Sequence, residues 1–210
     1  TERLVGSEMC IRDRKTPVAF SSVNAQEIDV KGGNLEVPEY LKRTPNLYQT
    51  PSTAGGYGDG ELYLRGFDMN NVSVVINGQP VNDMEEGWVY WSNWAGLSDL
   101  TSSIQIQRGL SASSLAVPSV GGVVSVNTRA SELEPSTRLK FLSGNDNYLK
   151  MSFSHNTGVN ERGWSSSYLL SLWEGDGYLN GTEGAGITYA MTVGYTPRGG
   201  DHEFNLSILG

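Results

Sequence analysis

The chain has 210 residues, a formal net charge of −8 and a single cysteine, Cys10. The acidic balance excludes nucleic acid as a partner, because phosphate contacts need a basic face. One cysteine excludes a disulfide framework, and 26 glycines with 10 tyrosines favour a fold rich in strands and turns. No apolar run approaches the roughly 18 residues of a transmembrane helix, so any membrane-spanning part must be built from strands.

The first residues, 1–14, have the sequence TERLVGSEMCIRDR. They contain neither the apolar core nor the small-residue cleavage site of a signal peptide. Their second half resembles a translated sequencing adapter. We therefore expect 1–14 to be a non-native segment or a linker, and the first domain to begin at residue 15.

The next residues predict a strand at 18–23, a polar turn and then a short helix. Pro38 suits the first helical position, Glu39 suits the positive end of the helix dipole and Lys42 the other end. The glycine-rich loop Gln49–Gly60 follows. A phosphate-binding loop follows a strand and precedes a helix, whereas this loop precedes a strand, so nucleotide binding is disfavoured.

Two short apolar runs, Leu62–Leu64 and Val72–Ile76, predict a pair of strands. The first run ends at Arg65-Gly66 and the second at Asn77-Gly78, which are turn signals. The near-continuous apolar character of the second run predicts a strand that is covered on both faces.

A cluster of aromatic and acidic residues comes next. Its aromatic members are Trp88, Tyr90, Trp91 and Trp94, and its acidic members are Asp83, Glu85 and Glu86. The cluster suits a sugar-stacking platform or an acidic metal-binding loop. We favour a third interpretation, in which the tryptophans pack the domain against a barrel wall and the carboxylates are solvated, because the acidic spacing lacks the turn glycine of an EF-hand.

The rest of this region predicts two more strands. Residues 102–108 alternate between polar and apolar, as in a half-buried strand, and one helical turn at Ser111–Leu115 follows. Val123–Val126 predicts the last strand, and Gly121 and Gly122 before it indicate a close backbone approach.

These landmarks resemble the plug domain of TonB-dependent outer-membrane receptors, similar to those of Bacteroidetes. The resemblance rests on four ordered pairs: Arg65-Gly66, Asn77-Gly78, Arg108-Gly109 and Gly121-Gly122. It implies an α+β plug domain at 15–130, a small mixed β-sheet with short helices. It also implies contacts from the strand-end arginines to carboxylates of a barrel wall, plug turns at the paired glycines, and loops that face the substrate. The arginines are Arg65, Arg108 and Arg129, the turn glycines are Gly66, Gly78, Gly109, Gly121 and Gly122, and the loop candidates are Tyr57, Asp59, Trp88, Tyr90, Trp91 and Trp94.

From residue 131 to 210 the character changes to alternating runs of about seven to twelve residues separated by turns. A tilted strand of an outer-membrane barrel needs roughly 9 to 11 residues, so both the pattern and the length suit such a barrel. Ile187, Tyr189, Met191 and Val193 occupy one face of such a run, with small residues between them. If the first strand rises from the periplasm, the turns near 144–147 and 175–184 lie outside. A soluble sandwich would show the same alternation. Five antiparallel strands cannot close a transporter barrel of about 22 strands, so we expect an incomplete transmembrane β-barrel and a truncated chain.

Enzyme motifs are missing from the sequence. His155 and His202 stand alone in predicted strands, where a structural role is expected, and no nucleophile elbow or paired cysteines occur. We therefore expect no enzymatic activity, no cofactor and no metal site.

The resemblance implies gated, active uptake across the bacterial outer membrane. Its implied partners are TonB with ExbB and ExbD, outer-membrane lipid, and an unknown small substrate such as a siderophore, cobalamin, a glycan or a peptide. A surface lipoprotein is a further possible partner. TonB would act on an N-terminal box, which is not recognisable in this sequence. The alternative is a soluble, secreted, β-rich protein that binds glycans through Trp88, Trp91 and Trp94.

Overall fold

The computed structural model describes residues 19–31, 37–50, 60–94, 96–109, 119–178, 180–197 and 203–210. Several predicted features lie outside these residues: the segment 1–14, the loop candidates Tyr57 and Asp59, the helical turn at 111–115, and His202. Across the part that is described, no helix is both long and apolar enough to cross a membrane.

The described residues of the N-terminal unit include seven strands. They are β1 (Ala19–Asn24), β2 (Leu47–Thr50), β3 (Glu61–Leu64), β4 (Val72–Ile76), β5 (Gln79–Pro80), β6 (Ser103–Arg108) and β7 (Gly122–Asn127). Five of them make a mixed sheet in the order β1-β6-β7-β4-β5, in which only β4 and β7 run parallel. Strands β2 and β3 form a separate antiparallel pair.

Short helices connect these strands. They are α1 (Ala25–Lys31), α2 (Val37–Tyr40), which continues as the 3-10 turn Leu41–Arg43, and the 3-10 turns Met69–Asn71, Trp91–Trp94, Leu97–Asp99 and Ala130–Glu132. The helix predicted around Pro38 is therefore present. The polar turn predicted after the first strand is wrong, since the chain forms α1 there. Asn24 caps this helix by accepting a hydrogen bond from the backbone N–H of Glu27 at 2.8 Å.

The predicted pairing of the two apolar runs is also wrong. The first run becomes β3 and pairs with β2, whereas the second becomes β4 and pairs with β7 and β5. The turn between the runs explains the difference, because Arg65 and Gly66 both adopt positive φ and Phe67 folds back onto Leu64 through two backbone hydrogen bonds of 3.0 Å. The 3-10 turn Met69–Asn71 then redirects the chain into the other sheet.

The core of the N-terminal unit is centred on β4. All five of its residues are buried, as expected for a strand covered on both faces. Strand β6 alternates as predicted, with Ile104 and Ile106 buried. Burying each valine, leucine or isoleucine side chain contributes about 1.5–3 kcal/mol, so this sheet holds the unit together.

The paired glycines at the start of β7 allow the close approach that the sequence indicates. A Cβ on Gly121 would lie 2.9 Å from the carbonyl oxygen of Asn71, and a Cβ on Gly122 would lie 2.2 Å from that of Gln107. No side chain fits at either position without moving backbone atoms.

Five antiparallel strands, the strand array, form the second unit. They are β8 (Ser136–Ser143), β9 (Leu149–Asn156), β10 (Trp164–Gly175), β11 (Gly184–Tyr195) and β12 (Phe204–Leu209), and each pairs with its neighbours in sequence. The connections 144–148 and 176–183 therefore start from one end of the array, and 157–163 lies at the other end.

The two faces of the array differ in the way that the alternation predicts. On one face, apolar side chains are exposed, and on the other, small hydroxyl side chains such as Ser152, Ser167 and Thr192 are buried. Trp164 and Tyr195 lie against each other near one end of the exposed face, with ring centroids 4.8 Å apart. This arrangement of an apolar band with aromatic residues at its edge is typical of a membrane barrel wall.

His155 lies on this exposed face. Its Nδ1 is 2.8 Å from the Thr137 hydroxyl and its ring stacks on Tyr168 across the strand pair. These contacts give His155 a structural role, as the sequence predicts.

Candidate functional site: the contact between the two units

A buried carboxylate joins the N-terminal unit to the strand array. Asp99 Oδ1 accepts a hydrogen bond from Lys140 Nζ at 2.8 Å, and its Oδ2 lies 3.3 Å from Lys150 Nζ. The side chains of Asp99 and Lys150 are only 6% and 4% exposed. Breaking such a buried pair leaves an uncompensated charge and costs about 3–5 kcal/mol. We call this arrangement the Asp99 latch.

Local geometry places Asp99 against the array. It ends the 3-10 turn Leu97–Asp99, which begins after Gly96 in the left-handed region at φ +78°. A Cβ on Gly96 would lie 3.3 Å from Thr188 Cγ2 of β11. The glycine therefore allows the turn to lie directly on the strand wall.

An apolar contact lies beside the latch. Leu100 is buried with Leu169 and Ala190 of the array, and Leu209 packs at its edge. The charged contact and the apolar contact are therefore made by consecutive residues, Asp99 and Leu100.

A second, more exposed contact lies where the N-terminal unit continues into the array. Arg129 Nη1 is 3.5 Å from Glu203 and 3.8 Å from Glu132. Ser131 also hydrogen-bonds to Glu203. The Arg129 side chain is 40% exposed, so solvent screens these ion pairs and they contribute less than the Asp99 latch.

Arg108, the second predicted barrel contact, lies inside the N-terminal unit. It is buried, and its Nη1 and Nη2 donate to the carbonyl oxygens of Pro45 at 2.9 Å and Phe20 at 3.1 Å. Within the described residues its partners are backbone carbonyls rather than barrel carboxylates, which corrects the role expected for it. Alternation on β6 places this guanidinium on the same face as Ile104 and Ile106.

Arg65, the third predicted contact, is exposed at the end of β3 with φ +56°. A Cβ on Gly109 would lie 2.6 Å from its Nη1, so the guanidinium lies directly over this glycine. Arg65 also lines an open cleft of about 650 Å³ together with Tyr48 and Tyr63. The Tyr63 hydroxyl donates to Glu61 at 2.6 Å, and this hydrogen bond raises the pKa of Tyr63.

Four of the five predicted turn glycines lie in turns or bends, whereas Gly122 is the first residue of strand β7. Gly66, Gly78 and Gly109 all adopt positive φ, between +80° and +89°. Substitution at these positions is strained whatever space surrounds them.

The acidic loop is organised by Asp83. Its carboxylate accepts hydrogen bonds from the backbone N–H groups of Glu85, Glu86 and Trp88 at 2.7–2.8 Å. These bonds, chiefly the one from Glu86, lower the pKa of Asp83. Its two oxygens are thus engaged by the loop backbone, and no group of three potential metal ligands occurs among the residues that the structure describes.

The tryptophans pack mainly on the N-terminal core. Trp91 is 1% exposed and belongs to that core, which corrects the expectation that it faces substrate. Trp88 and Trp94 are partly buried against the same core, whereas Tyr90 is 47% exposed. The structure therefore corrects the expectation that the tryptophans pack against a barrel wall, because their described contacts are mostly with the core of their own unit.

Sequence reasoning did not find the Asp99 latch. A signal was available for one half, because Lys150 falls between Leu149 and Met151 on the face of β9 that is otherwise small and polar. A lysine on a buried face requires a counter-charge. Which of the chain's many carboxylates supplies it depends on how the two units lie together.

These features define a class of protein: a small mixed-sheet domain seated on the polar face of an incomplete membrane β-barrel. Comparisons with known proteins support this class. Residues 12–123 match the family model of the TonB-dependent receptor plug domain. Because the match covers more than half of the sequence, the chain belongs to this family of bacterial outer-membrane receptors.

Solved structures of three receptors share the fold. The siderophore receptor PiuA from Acinetobacter baumannii matches with a TM-score of 0.66 and 14% identity over 92% of this chain and 26% of its own. The ferric yersiniabactin uptake receptor FyuA from Yersinia pestis matches with a TM-score of 0.60 and 17% identity over 90% and 30%. The copper transporter OprC matches with a TM-score of 0.62 and 16% identity over 85% and 28%. No sequence match is found among curated proteins.

The chain spans only about a quarter of the length of these receptors. At this level of identity the likeness establishes the fold alone. We refer to the N-terminal unit as the plug and to the strand array as the barrel strands from here on; the similarity to Bacteroidetes receptors stays a prediction.

Proposed function

We propose that the chain is the plug and the first barrel strands of a receptor that takes up its substrate actively across the outer membrane. The observation that carries this proposal is the Asp99 latch, in which one plug carboxylate is held by lysines of the first two barrel strands. A contact of this kind holds the plug in place. It consists of only a few interactions, so it can also be broken. Gated uptake needs both properties.

The mechanism has three steps. Substrate binds from outside to plug loops and the barrel wall, and the plug responds at its N-terminal side. TonB, with ExbB and ExbD, then pulls on a box in that region. The plug leaves its seat by separating Asp99 from Lys140 and Lys150 and Leu100 from Leu169, after which substrate passes.

Two of the predicted arginines, Arg129 and Arg65, have different roles in this proposal. Arg129 is a plug–barrel contact through Glu203. For Arg65 the contact with barrel carboxylates stays a prediction. Of the substrate-facing candidates, exposed Tyr90 is the one that we retain among the described residues.

The substrates for which the related receptors are named indicate which substrates to test first. PiuA and FyuA are named for siderophores and OprC for copper. Ferric siderophores are therefore the first substrates to test, followed by copper, cobalamin, glycans and peptides. A surface lipoprotein partner remains part of the proposal for the last two of these.

The proposal is tested in cells that express the complete receptor containing this chain. Labelled substrates are supplied to otherwise identical cells with and without TonB. We expect accumulation of one substrate only when TonB is present, and loss of this accumulation in Asp99→Ala. Glu85→Gln, which removes an exposed plug carboxylate, is the matched control and should transport normally. Accumulation that does not depend on TonB would contradict the proposal.

The alternative of a soluble glycan-binding protein is not favoured by any described contact. A stacking platform must present its rings to a sugar, whereas Trp91 is buried and Trp88 and Trp94 pack on the core. The matched proteins are transport receptors, and we propose no catalytic role for this chain.

A further inference from the structure

An open cleft of about 650 Å³ lies on the plug at the end of the β2–β3 pair. It is lined by Asn46, Leu47, Tyr48, Tyr63, Arg65 and Gly66, and we call it the tyrosine cleft. Its volume is within the range of clefts that bind small molecules. Its lining shares no residue with the Asp99 latch or with the contact from Arg129 to Glu203.

The alternation of β2 and β3 gives this strand pair an aromatic face. Tyr48 pairs directly with Tyr63 across the two strands. Their ring centroids are 5.9 Å apart, with the ring planes tilted by 46°, and Tyr48 is 66% exposed. A ligand that enters the cleft therefore meets an exposed aromatic ring, which suits stacking with a ring-shaped group.

Tyr63 is held in place by Glu61 on its own strand. The Tyr63 hydroxyl donates to Glu61 at 2.6 Å, and the backbone N–H of Glu61 donates to the Thr50 hydroxyl on the facing strand at 3.2 Å. The hydrogen bond with Glu61 raises the pKa of Tyr63, with further contributions from burial and from the charges of Glu61 and Asp68. Tyr63 is therefore a neutral phenol at physiological pH, and the aromatic pair is preorganised.

Charges of both signs adjoin the cleft. Arg65 is a cation in its lining, and the carboxylates of Glu61 and Asp68 lie near enough to Tyr63 to act on its titration. A cationic ligand would be repelled by Arg65, and an anionic ligand by the two carboxylates. A neutral ligand rich in hydroxyl groups avoids both costs, because each hydroxyl accepts a hydrogen bond from a guanidinium and donates one to an amide or phenol oxygen.

The polar side chains of the cleft are carried by two linked turns. The backbone N–H of Arg65 donates to the carbonyl oxygen of Asn46 at 2.8 Å. Both residues adopt positive φ, of +61° for Asn46 and +56° for Arg65, a conformation that is uncommon for residues other than glycine and clusters at ligand-binding sites. The two turns place an amide and a guanidinium in the lining that contains the tyrosines.

The cleft lies at the end of the plug sheet away from the junction with the barrel strands. The Arg65 guanidinium lies over Gly109, whose backbone N–H donates to the carbonyl oxygen of Gly121 directly before β7. Strand β7 has six residues and ends at Asn127, so roughly 20 Å of strand separates this end from the junction at Ala130–Glu132. If the first barrel strand rises from the periplasm, this end of the plug lies away from the periplasmic junction.

We propose that the tyrosine cleft binds a sugar ring, which stacks on Tyr48 and hydrogen-bonds through its hydroxyl groups to Arg65 and Asn46. The proposal rests on the proposed uptake function and names its substrate class, a neutral glycan. The stacking ring is Tyr48 rather than one of the tryptophans, which pack on the plug core. The siderophores and copper for which the related receptors are named do not decide this class, because identities of 14–17% establish the fold alone.

The first test applies saturation-transfer difference NMR to the complete receptor in a detergent without sugar groups. The probes are the methyl glycosides of glucose, galactose and mannose, and the charged ring controls are salicylate and phenyltrimethylammonium. We expect a signal from at least one glycoside that falls several-fold in Tyr48→Ala and in Arg65→Met. The matched controls, Tyr178→Ala and Arg162→Met, remove an exposed tyrosine and an exposed arginine outside the cleft and should leave the signal unchanged.

Two results of this test overturn the proposal. One is the absence of a Tyr48-dependent signal from all three glycosides. The other is a Tyr48-dependent signal that is stronger for salicylate or for phenyltrimethylammonium than for the glycosides, which would assign the cleft to a charged ring.

The second test keeps the proposal falsifiable if Tyr48→Ala does not fold. Tyr48→Trp retains an aromatic ring in the cleft and adds a fluorophore there. Titration with the glycoside that gave the signal should change its tryptophan fluorescence saturably, and adding Arg65→Met should raise the half-saturating concentration several-fold. Tyr178→Trp is the control and should show no saturable change. If Arg65→Met raises passive dye leak but leaves the half-saturating concentration unchanged, Arg65 contacts the barrel wall instead and the proposal is overturned.

Uptake measurements separate this inference from the proposed function. TonB-dependent accumulation of a ferric siderophore that is unaffected by Tyr48→Ala would retain the uptake function and remove the sugar site. Tyr48-dependent binding of a glycoside without any TonB-dependent accumulation would retain the sugar site and remove the uptake function.

Discussion

Asp83 is the residue that fixes the acidic loop of the plug. Its carboxylate accepts three backbone hydrogen bonds, and they lower its pKa in the folded protein. A carboxyl group whose pKa is lowered by folding stabilises the fold above its ordinary value near 3.9 and loses that contribution as pH falls through the lowered pKa. We expect the loop to open at acidic pH in the complete receptor, monitored by amide hydrogen exchange at Trp88.

Substitution separates this effect from general acid unfolding. Asp83→Ala should raise hydrogen exchange of the loop at neutral pH and remove its pH dependence in this range. Glu85→Gln changes a neighbouring carboxylate that accepts none of the three bonds and should behave like the wild type. Equal exchange in Asp83→Ala and wild type would show that the carboxylate does not hold the loop.

Arg108 is a second single residue with a testable role, and it lies inside the plug. Its two terminal nitrogens donate to carbonyl oxygens of Pro45 and Phe20, which belong to different segments. Hydrogen bonds to a charged group contribute about 1.5–3 kcal/mol. The single ammonium of Arg108→Lys cannot reproduce the fork, so we expect a lower midpoint of plug unfolding in denaturant. Arg162→Lys on an exposed connection is the control, and equal midpoints would contradict the role.

Among the elements, the 3-10 turn Leu97–Asp99 joins the plug to the barrel strands through buried contacts. Gly96 precedes it at φ +78°, and a Cβ there would meet Thr188 at 3.3 Å. We expect Gly96→Ala to lift the turn from β11 and raise passive dye leak through the complete receptor in liposomes. Gly66→Ala is a matched control, because Gly66 also has positive φ, at +80°, but nothing lies within 4 Å of its Cβ position.

A second change tests the contact directly. Thr188→Ser removes the methyl group that an alanine at position 96 would meet. In the double variant, Gly96→Ala with Thr188→Ser, the leak should fall back toward that of Gly66→Ala. A double variant that leaks as much as Gly96→Ala would assign the effect to backbone strain alone.

The elements differ in how far the sequence predicted them. Alternation in β6 and in the barrel strands was predictable, because each strand has one buried face. Its two faces therefore differ, and this difference appears in the sequence as apolar and polar residues at alternate positions. The partner of β4 was not predictable, because pairing depends on the turn after Arg65 and on β7, some 50 residues away. The Asp99 latch could not be predicted for the same reason. Lys150 indicates that a counter-charge is needed, but the sequence does not distinguish Asp99 from a solvated loop residue until the plug and the barrel strands are placed together.

At the scale of the whole molecule, the described residues include two ionic contacts between the plug and the barrel strands. The Asp99 latch is buried, with Leu100 packed beside it, whereas the contact from Arg129 to Glu203 lies at a solvated boundary. Burial protects an electrostatic contact from salt, and exposure does not. The two contacts therefore differ in how much they stabilise the seated plug and in how strongly salt weakens them.

This difference gives a last prediction for the complete receptor in liposomes. Asp99→Asn leaves Lys150 without a counter-charge, at a cost of about 3–5 kcal/mol, whereas Arg129→Gln removes an exposed pair that contributes about 0–1 kcal/mol. We expect a clear increase in passive dye leak for Asp99→Asn and little for Arg129→Gln. Raising the ionic strength from about 0.1 to 1 M shortens the Debye length from about 10 to 3 Å, which should abolish the small Arg129→Gln effect and leave that of Asp99→Asn in place. If Arg129→Gln leaked as much as Asp99→Asn at low salt, the boundary contact rather than the buried latch would be what seats the plug.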